Sequence, residues 1–280
     1  MINQNLFSVI QQAKREKWAV GEFNMSNLEV LQAIVAAANE ARSPVIVGVA
    51  MGSLKHAGLK YLRGLVQAAR EEAQAPLFFH LDHGADMETI RQVIGIGFDS
   101  VMLDTSRLPL EENIAAVKQA VEFAHAKGAL VEAQVGVAGD EEKGIGGEEY
   151  TDPALVPEFV QRSGLDLLAF SFGSKPGRLE GESEPDLEVV RAVTAASPVP
   201  CVLHGSSSIP DPFIRQAVEL GVAKINIDAA LRKAFTNTLK EIYAQETVPT
   251  DPRVAMRAVR EAVTEVVMEK MRLFGCAGRA

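Results

Sequence analysis

Eight short apolar runs, separated by longer amphipathic segments, constrain the fold of this chain more than any other feature. Runs largely unbroken by polar residues are typical of strands buried on both faces, as parallel strands usually are. The segments between them, such as Leu28–Ala41, Leu110–Ala126 and Ile209–Leu220, have the apolar spacing of helices. This alternation predicts a parallel sheet with helical crossovers. The runs are Trp18–Phe23, Pro44–Val49, Leu77–Leu81, Ser100–Leu103, Ala129–Val135, Asp166–Phe170, Val199–Leu203 and Ala223–Ile227.

Polar residues follow these runs at many points along the chain, which favours a closed barrel over a doubly wound sheet. A doubly wound sheet builds its site at one switch point, whereas a (β/α)8 barrel uses all of its C-terminal strand ends. We therefore predict an α/β fold, a (β/α)8 TIM barrel that forms a single domain over residues 1–280, with Ala229–Ala244 and Asp251–Leu273 as extra C-terminal helices. The glycine- and acid-rich stretch Gly136–Tyr150 is long enough to be a mobile lid. The polar residues are Asn24, Asp82, His83, Asp104, Gln134, Ser174, Lys175, His204 and Asn226–Asp228.

The net charge of the chain indicates which kinds of ligand it can bind. A formal net charge of −9 and a pI of about 5.2 argue against nucleic acid, because binding to a phosphate backbone needs concentrated Lys and Arg. Phosphorylated small molecules remain compatible, since a few amides and one cation can hold a phosphate. Met1–Leu6 lacks a signal-peptide pattern and no apolar stretch approaches a membrane span, so we expect a cytoplasmic protein with no membrane partner. Cys201 and Cys276 are interpreted as buried thiols.

Three strand ends carry residues suited to chemistry, although each also admits a purely structural interpretation. Asp82 and His83 can supply a proton-transfer group beside a metal ligand, or be a solvated acid and a core histidine. His204 precedes the small residues Gly205–Ser208, whose amides are open to an anion unless the segment is only a flexible turn. Asn226–Asp228 ends the eighth run, and the loops after strands seven and eight are this fold's usual phosphate site. The convergence of the three at strand ends favours a functional interpretation.

Five motifs stand at the strand ends and the C-terminus: "HLDHG" (His80–Gly84), "VEAQVG" (Val131–Gly136), "LHGSSSIPD" (Leu203–Asp211), "AKINI" (Ala223–Ile227) and "GCAGRA" (Gly275–Ala280). They resemble those of the class II, zinc-dependent ketose-bisphosphate aldolases, with the tagatose- and fructose-bisphosphate enzymes as the nearest branch. The resemblance runs from Gly21–Asn24 to the last residue. It implies a TIM barrel that cleaves a phosphorylated ketose, assembles as a homodimer or homotetramer, and holds zinc on three histidines to polarise the carbonyl of dihydroxyacetone phosphate.

The resemblance also implies roles for individual residues. His83 and His204 match two of the histidine ligands, and Asp104 matches a carboxylate near the metal. Asp82 matches the acid that exchanges a proton with the aldehyde-derived oxygen. The loop glutamate that acts as a base corresponds to Glu142 when residues are counted from Gly136, with Glu148 as the alternative. The positions that match phosphate and ketose contacts are Gly177, Gly205, Ser207, Asn226 and Asp228.

Two departures from the family pattern lie at the metal site. The third histidine is replaced by Pro176, which has no donor atom, and a glutamate beside the metal is replaced by Gln134, whose amide is a poorer zinc ligand. We therefore predict that zinc is held weakly or not at all. Lys175 beside the lost histidine could pair with a substrate phosphate or carboxylate, could form a Schiff base, or could be a loop lysine in solvent. Smaller departures are Ser206 and Ser208 at usual glycine positions and Ala229 at a usual threonine.

These observations support one leading hypothesis and two alternatives. The leading hypothesis is an aldehyde-lyase that reversibly cleaves a phosphorylated ketose to dihydroxyacetone phosphate and an aldehyde. The first alternative is a non-catalytic sugar-phosphate-binding subunit. The second is a metal-independent isomerase or epimerase that works by proton transfer alone. The sequence does not choose the ketose, because that choice depends on loop geometry.

Overall fold

A computed structural model describes residues 5–136, 150–174 and 184–280. Its eight parallel strands close into a barrel in which β1 pairs with both β2 and β8. This confirms the predicted (β/α)8 barrel, and each apolar run contains or overlaps one strand. The strands are β1 (Val20–Asn24), β2 (Val45–Ala50), β3 (Leu77–Gly84), β4 (Ser100–Leu103), β5 (Leu130–Val135), β6 (Leu167–Phe170), β7 (Cys201–Leu203) and β8 (Val222–Ile227).

Helices follow the strands and surround the barrel, and α1 precedes β1. Asparagine and aspartate side chains begin several of them: the Asn27 side chain accepts a hydrogen bond from the Val30 amide, and Asp86 accepts one from the Thr89 amide. In the described ranges the helices are α1 (Leu6–Glu16), α2 (Leu28–Ala41), α3 (Met51–Ala57), α4 (Leu59–Glu72), α5 (Met87–Ile94), α6 (Leu110–His125), α7 (Val156–Ser163), α8 (Leu187–Ala196), α9 (Asp211–Glu219), α10 (Ala229–Tyr243) and α11 (Pro252–Phe274).

The two extra C-terminal helices are present, and the second of them completes the outer ring. α11 packs against α2 and α10, and the Phe274 carbonyl accepts a hydrogen bond of 3.0 Å from the Ala19 amide beside β1. The buried side chains of α11 recur at about four-residue spacing, as expected for a helix with one face on a core. No helix in the described ranges combines the length and apolarity that a membrane crossing requires.

Several strand boundaries differ from the expected ones, and two of these differences have identifiable reasons. The seventh strand begins at Cys201 and not at Val199, because Pro200 has no amide proton to donate to a ladder. The third strand continues past Leu81 to Gly84 through a register shift in its pairing with β4. Asp82 and His83 therefore belong to a bulged strand end and not to a loop after the strand.

The barrel interior differs from an all-apolar core. Four fully buried ionisable side chains, Glu22, His80, Glu132 and Lys224, lie on β1, β3, β5 and β8. The apolar character of the runs did not predict this charged layer, because each strand contributes only one such residue to it. Buried charges need partners, so the layer indicates a specific network inside the barrel.

Candidate active site

The site begins at the bulged end of β3, where backbone geometry aims His83. His83 has a φ of 51°, a left-handed conformation that is uncommon outside glycine. Gly84 follows, and a Cβ there would lie 2.6 Å from both the Leu81 side chain and the Met102 carbonyl. A glycine is thus required for β3 to approach β4 past the bulge. The bulge re-aims His83, a common use of such irregularities beside active sites.

His83 and His204 face each other across the C-terminal mouth of the barrel. His83 Nε2 lies 3.1 Å from His204 Nδ1, and the rings meet edge to face with centroids 4.9 Å apart. The two residues come from β3 and from the end of β7, 121 positions apart in sequence. The structure therefore brings together the two predicted histidine ligands.

Each histidine is backed by a carboxylate on its other ring nitrogen. His83 Nδ1 lies 2.6 Å from Asp104 Oδ2, and His204 Nε2 lies 2.6 Å from Glu132 Oε1. Because an ionised carboxylate only accepts hydrogen bonds, these far nitrogens carry the protons. The other two nitrogens, His83 Nε2 and His204 Nδ1, then face each other with their lone pairs. Carboxylate-backed histidines with free inward nitrogens are the usual arrangement of metal-ligating histidines.

The carboxylates around the histidine pair stabilise a positive charge on or between the two rings. Burial alone would lower the pKa of His83, but the charge of Asp82 and the hydrogen bond to Asp104 outweigh it and raise that pKa to about 9. Burial likewise opposes ionisation of Asp104, yet the hydrogen bond and charge of His83 lower its pKa. Two nitrogen lone pairs 3.1 Å apart therefore hold either a proton or a cation between them.

Asp82 lies beside the histidine pair and is held by two asparagines. Its Oδ2 accepts a hydrogen bond of 2.8 Å from Asn24 Nδ2, and its Oδ1 accepts a longer one of 3.4 Å from Asn226 Nδ2. Oδ1 lies 3.9 Å from His83 Nε2 and 3.8 Å from His204 Nδ1. Burial would raise the pKa of Asp82, but the neighbouring charges of His83 and His204 lower it. Asp82 is thus an oriented, ionised carboxylate at the mouth of the barrel.

The donor atoms present fit a divalent metal such as zinc. Asp82, His83 and His204 each offer one ligand atom, and these atoms lie within 4.8 Å of one another. Two ligands on one tetrahedral zinc would be roughly 3.3 Å apart, given bonds of about 2.0–2.1 Å. The facing histidine nitrogens, at 3.1 Å, come close to that spacing. Of the three other histidines, His56 is in α3 and His125 pairs with Asp166 at 2.8 Å, both away from this pair. The third, His80, is fully buried below it and forms with Glu22 and Asp82 a second group whose donor atoms lie within 4.8 Å of one another.

The Gln134 side chain forms hydrogen bonds to the residues that directly follow β5 and β6. Its side-chain amide donates to the Gly136 carbonyl at 3.1 Å and to Ser171 Oγ at 3.4 Å. The Gly136 carbonyl can only accept, so this position needs a donor that a glutamate would lack. Thr151 Oγ1 also donates to the Val135 carbonyl. Gln134 therefore helps to connect the end of β5 to β6.

The candidate phosphate turn lies beside the start of α10. Gly205 has a φ of 63°, and Ser206–Ser208 forms one turn of 3-10 helix. Ser207 Oγ accepts a hydrogen bond of 3.2 Å from the Ala230 amide, which joins the turn to α10. Asp228 precedes α10 and forms an ion pair of 2.9 Å with Arg232. The segments after β7 and β8 thus meet, as the sequence predicted.

Several predicted site residues lie outside the described residues. They are Glu142, Glu148, Lys175, Pro176 and Gly177. The proposed base, the lost third histidine and the lysine beside it are therefore not located, and most of the expected lid (Gly136–Tyr150) also falls outside.

Glu22, His80 and Lys224 were not among the predicted site residues, although the sequence carries a signal for them. In four strands a polar residue of the charged layer is followed two positions later by a polar residue nearer the mouth. Alternate residues of a strand share a face, so this period-two pattern marks the inward face. The pairs are Glu22 and Asn24, His80 and Asp82, Glu132 and Gln134, and Lys224 and Asn226.

Comparisons with known proteins agree with the geometry. A family model described as "Fructose-bisphosphate aldolase class-II" matches residues 4–279. A fructose-bisphosphate aldolase of Geobacillus stearothermophilus is 40% identical, with 97% of this chain and 96% of that protein covered. A 6-phospho-5-dehydro-2-deoxy-D-gluconate aldolase of Bacillus velezensis is 39% identical, with 97% and 95% covered.

Solved structures show the same relationship. The crystal structure of the YdjI aldolase from Escherichia coli K12 superposes with a TM-score of 0.87 and 36% identity, and the alignment covers 99% of both chains. A family match along nearly the whole chain, joined to a barrel whose mouth holds two carboxylate-backed histidines and an oriented aspartate, places this protein in the class II fructose-bisphosphate aldolase family of carbon–carbon lyases.

Proposed function

We propose that this protein reversibly cleaves a phosphorylated ketose to dihydroxyacetone phosphate and an aldehyde. The observation that carries the proposal is the convergence of His83 Nε2 and His204 Nδ1 to 3.1 Å, with Asp82 beside both. A retro-aldol cleavage needs a positive centre to oppose the enediolate and a group that exchanges a proton with the aldehyde-derived oxygen. The described residues supply candidates for both.

His83 and His204 would hold the metal, with Asp82 as the nearest further donor. A bound divalent ion would supply electrostatic stabilisation of the oxyanion that develops on the ketose carbonyl. Asp104 and Glu132 keep the far ring nitrogens protonated and so leave the inward nitrogens free to ligate.

Asp82 would exchange the proton of the hydroxyl group on the carbon that becomes the aldehyde. Asn24 and Asn226 both donate to its carboxylate, which fixes its orientation and leaves it ionised. In the cleavage direction an ionised aspartate accepts this proton, and in the condensation direction it returns it. The family resemblance assigns the second proton transfer, at the dihydroxyacetone phosphate carbon, to Glu142 or Glu148.

The turn Gly205–Ser208 and the segment Asn226–Asp228 would bind the substrate phosphate and hydroxyl groups. The N-terminus of α10 lies at this point, and helix N-termini favour anions. Among the described residues, Ser206 Oγ is buried without a hydrogen-bond partner, and a ligand oxygen would provide one. Lys175 and Gly177 would complete this contact.

Zinc affinity is proposed to be weak. Pro176 cannot ligate, and the Gln134 amide is committed to Gly136 and Ser171. A site with two good ligands should bind zinc orders of magnitude more weakly than one with three. The family resemblance extends the proposal to a cytoplasmic homodimer or homotetramer, which sedimentation velocity would test.

The proposal is tested by metal analysis of the purified protein, followed by assay with and without added zinc. Tagatose and fructose 1,6-bisphosphate would be supplied in turn, and released triose phosphate would be measured by coupled reduction. We expect substoichiometric zinc as purified, and lyase activity that rises on zinc addition. Tight stoichiometric zinc would show that other ligands rebuild the site. Sugar-phosphate binding without cleavage at saturating zinc would instead support the non-catalytic subunit.

A further inference from the structure

Lys224 lies at the centre of the charged layer inside the barrel, directly below the candidate active site. Its side chain is fully buried, and its ammonium lies against three oxygen-bearing side chains. Nζ donates to Glu132 Oε2 at 2.7 Å and to Asn226 Oδ1 at 2.9 Å, and it forms a close ion pair with Glu22. β8 and β5 are not neighbours in the sheet, so the bond to Glu132 crosses the interior of the barrel.

One branch from Lys224 leads to the metal ligand His204. Glu132 accepts from Lys224 through Oε2 and faces His204 Nε2 through Oε1 at 2.6 Å. With both oxygens engaged, the carboxylate has one orientation available. That orientation holds His204 Nε2 as the protonated nitrogen and leaves Nδ1 to face His83.

The second branch leads to the proton-transfer residue Asp82. An ammonium can only donate, so Asn226 must present its amide oxygen to Lys224. The amide nitrogen then faces Asp82 Oδ1, to which it donates at 3.4 Å. If the ammonium were lost, Asn226 could flip and turn an oxygen towards the Asp82 carboxylate.

The ammonium remains charged in this environment. Burial would lower the pKa of Lys224, but the charge of Glu132 and the adjoining carboxyl group of Glu22 outweigh that effect and raise it. A methylene stem with three tetrahedral donors suits three acceptors that lie on different strands, whereas the planar guanidinium of arginine would not match them.

We infer that Lys224 is a positioning residue that aligns both halves of the candidate site, orienting His204 through Glu132 and Asp82 through Asn226. This inference rests on the proposed function for its consequence in catalysis, but the alignment itself exists without substrate. Its first expected effect is on metal affinity, since the partner behind a ligating histidine contributes roughly 10–100-fold to metal binding and Lys224 orients that partner, Glu132.

The test uses Lys224→Met combined with Glu22→Gln, compared with Glu22→Gln alone. The second substitution replaces the buried carboxyl group that packs against the ammonium by an amide of the same shape, so that the two proteins compared differ only at Lys224. Lys270→Met is the matched control, because it removes an ammonium that pairs with Asp211 at 3.5 Å on the outside of the barrel. Zinc affinity would be measured by competition with a fluorescent chelator, and the ring N–H proton of His204 by NMR on the metal-free protein.

We expect the double variant to bind zinc at least about tenfold more weakly than Glu22→Gln and to lose or shift the downfield His204 N–H resonance, with no change in Lys270→Met. Unchanged affinity and an unchanged resonance in the double variant would overturn the inference. Neither readout requires lyase activity. A wild-type protein inactive on every phosphorylated ketose would therefore refute the proposed function. The His204 N–H resonance would still test whether Lys224 positions His204.

The wild-type protein offers a second test that needs no variant. An ammonium enclosed by Glu132, Asn226 and Glu22 should exchange its protons with solvent slowly enough for a 15Nζ correlation to be observed at neutral pH. Rapid exchange of the Lys224 ammonium protons would contradict the inference even if the double variant does not fold.

Discussion

The two histidines of the candidate site are chemically alike but are supported in different ways. His83 and its partner Asp104 are partly solvent-accessible, with side chains 39% and 26% exposed. His204 and its partner Glu132 are 8% and 0% exposed, and Glu132 is in turn held by Lys224. The His83 half depends on a local bulge with a left-handed residue, whereas the His204 half depends on contacts across the whole barrel.

This difference indicates which half of the site is adaptable. An exposed pair can relax into solvent when one partner is lost, and its contribution to stability is small. A buried pair cannot relax, so loss of one partner leaves a charge without compensation. We therefore expect substitutions in the His204 half (His204 and Glu132) to change both zinc affinity and the free energy of unfolding. Substitutions in the His83 half (His83 and Asp104) should change mainly zinc affinity.

The largest expected effect comes from Glu132→Gln compared with Asp104→Asn. Glu132→Gln should lower the free energy of unfolding by roughly 3 kcal/mol or more, because Lys224 loses a buried counter-ion. Asp104→Asn should cost about 1 kcal/mol or less. Both should weaken zinc binding by roughly 10–100-fold. Urea denaturation and chelator competition measure the two quantities, and equal losses of stability would remove the distinction between the halves.

The next effect concerns Asp82, whose carboxylate lies beside both His83 and His204. Asp82→Asn should reduce turnover on the true substrate by roughly 10² or more, because an amide cannot accept the proton. Stability should fall by about 1 kcal/mol, since the new amide nitrogen would face one of the two asparagine donors. Asp86→Asn, which preserves the cap of α5, is the matched control. Full turnover in Asp82→Asn would exclude Asp82 from proton transfer.

A third prediction concerns the effect of the buried residue Glu22 on the pH dependence of protein stability. Burial raises the pKa of Glu22 from 4.5 to about 8, although Lys224 opposes the shift. The folded protein then keeps a proton that the unfolded chain releases, so the contribution of Glu22 to stability falls as pH rises through this window. The slope is at most about 1.4 kcal/mol per pH unit. Glu22→Gln should remove it, so that urea midpoints of variant and wild type diverge from pH 5 towards pH 8; parallel curves would contradict the assignment.

The smallest effect concerns Gln134, at the edge of the buried half. Gln134→Glu should destabilise the protein by roughly 1–2 kcal/mol, because a carboxylate cannot donate to the Gly136 carbonyl. By itself it should not strengthen zinc binding. Combined with Pro176→His it should raise zinc affinity, since a third imidazole is restored. Calorimetric zinc titration of the two single variants and the double variant separates these expectations, and tighter binding in Gln134→Glu alone would contradict them.

The amino-acid sequence by itself determined the barrel, most strand positions and the residues that meet at its mouth. Apolar runs fix parallel strands through burial, and strand ends of a barrel must converge, so His83, His204, Asp82 and Asn226 could be grouped before any coordinates were known. Helix α2 was predicted with its observed bounds, because its Asn27 cap and apolar spacing are local signals.

Only the tertiary structure decided how these residues are supported. The bulge that aims His83 arises from the pairing of β3 with β4, and Gln134 acquires its acceptors from Gly136 and from Ser171, which follows β6. Lys224 looked like part of an ordinary strand motif, but barrel closure brings Glu22, Glu132 and Asn226 around its ammonium. Such contacts between distant strands depend on side-chain reach across a closed interior, which local patterns do not encode.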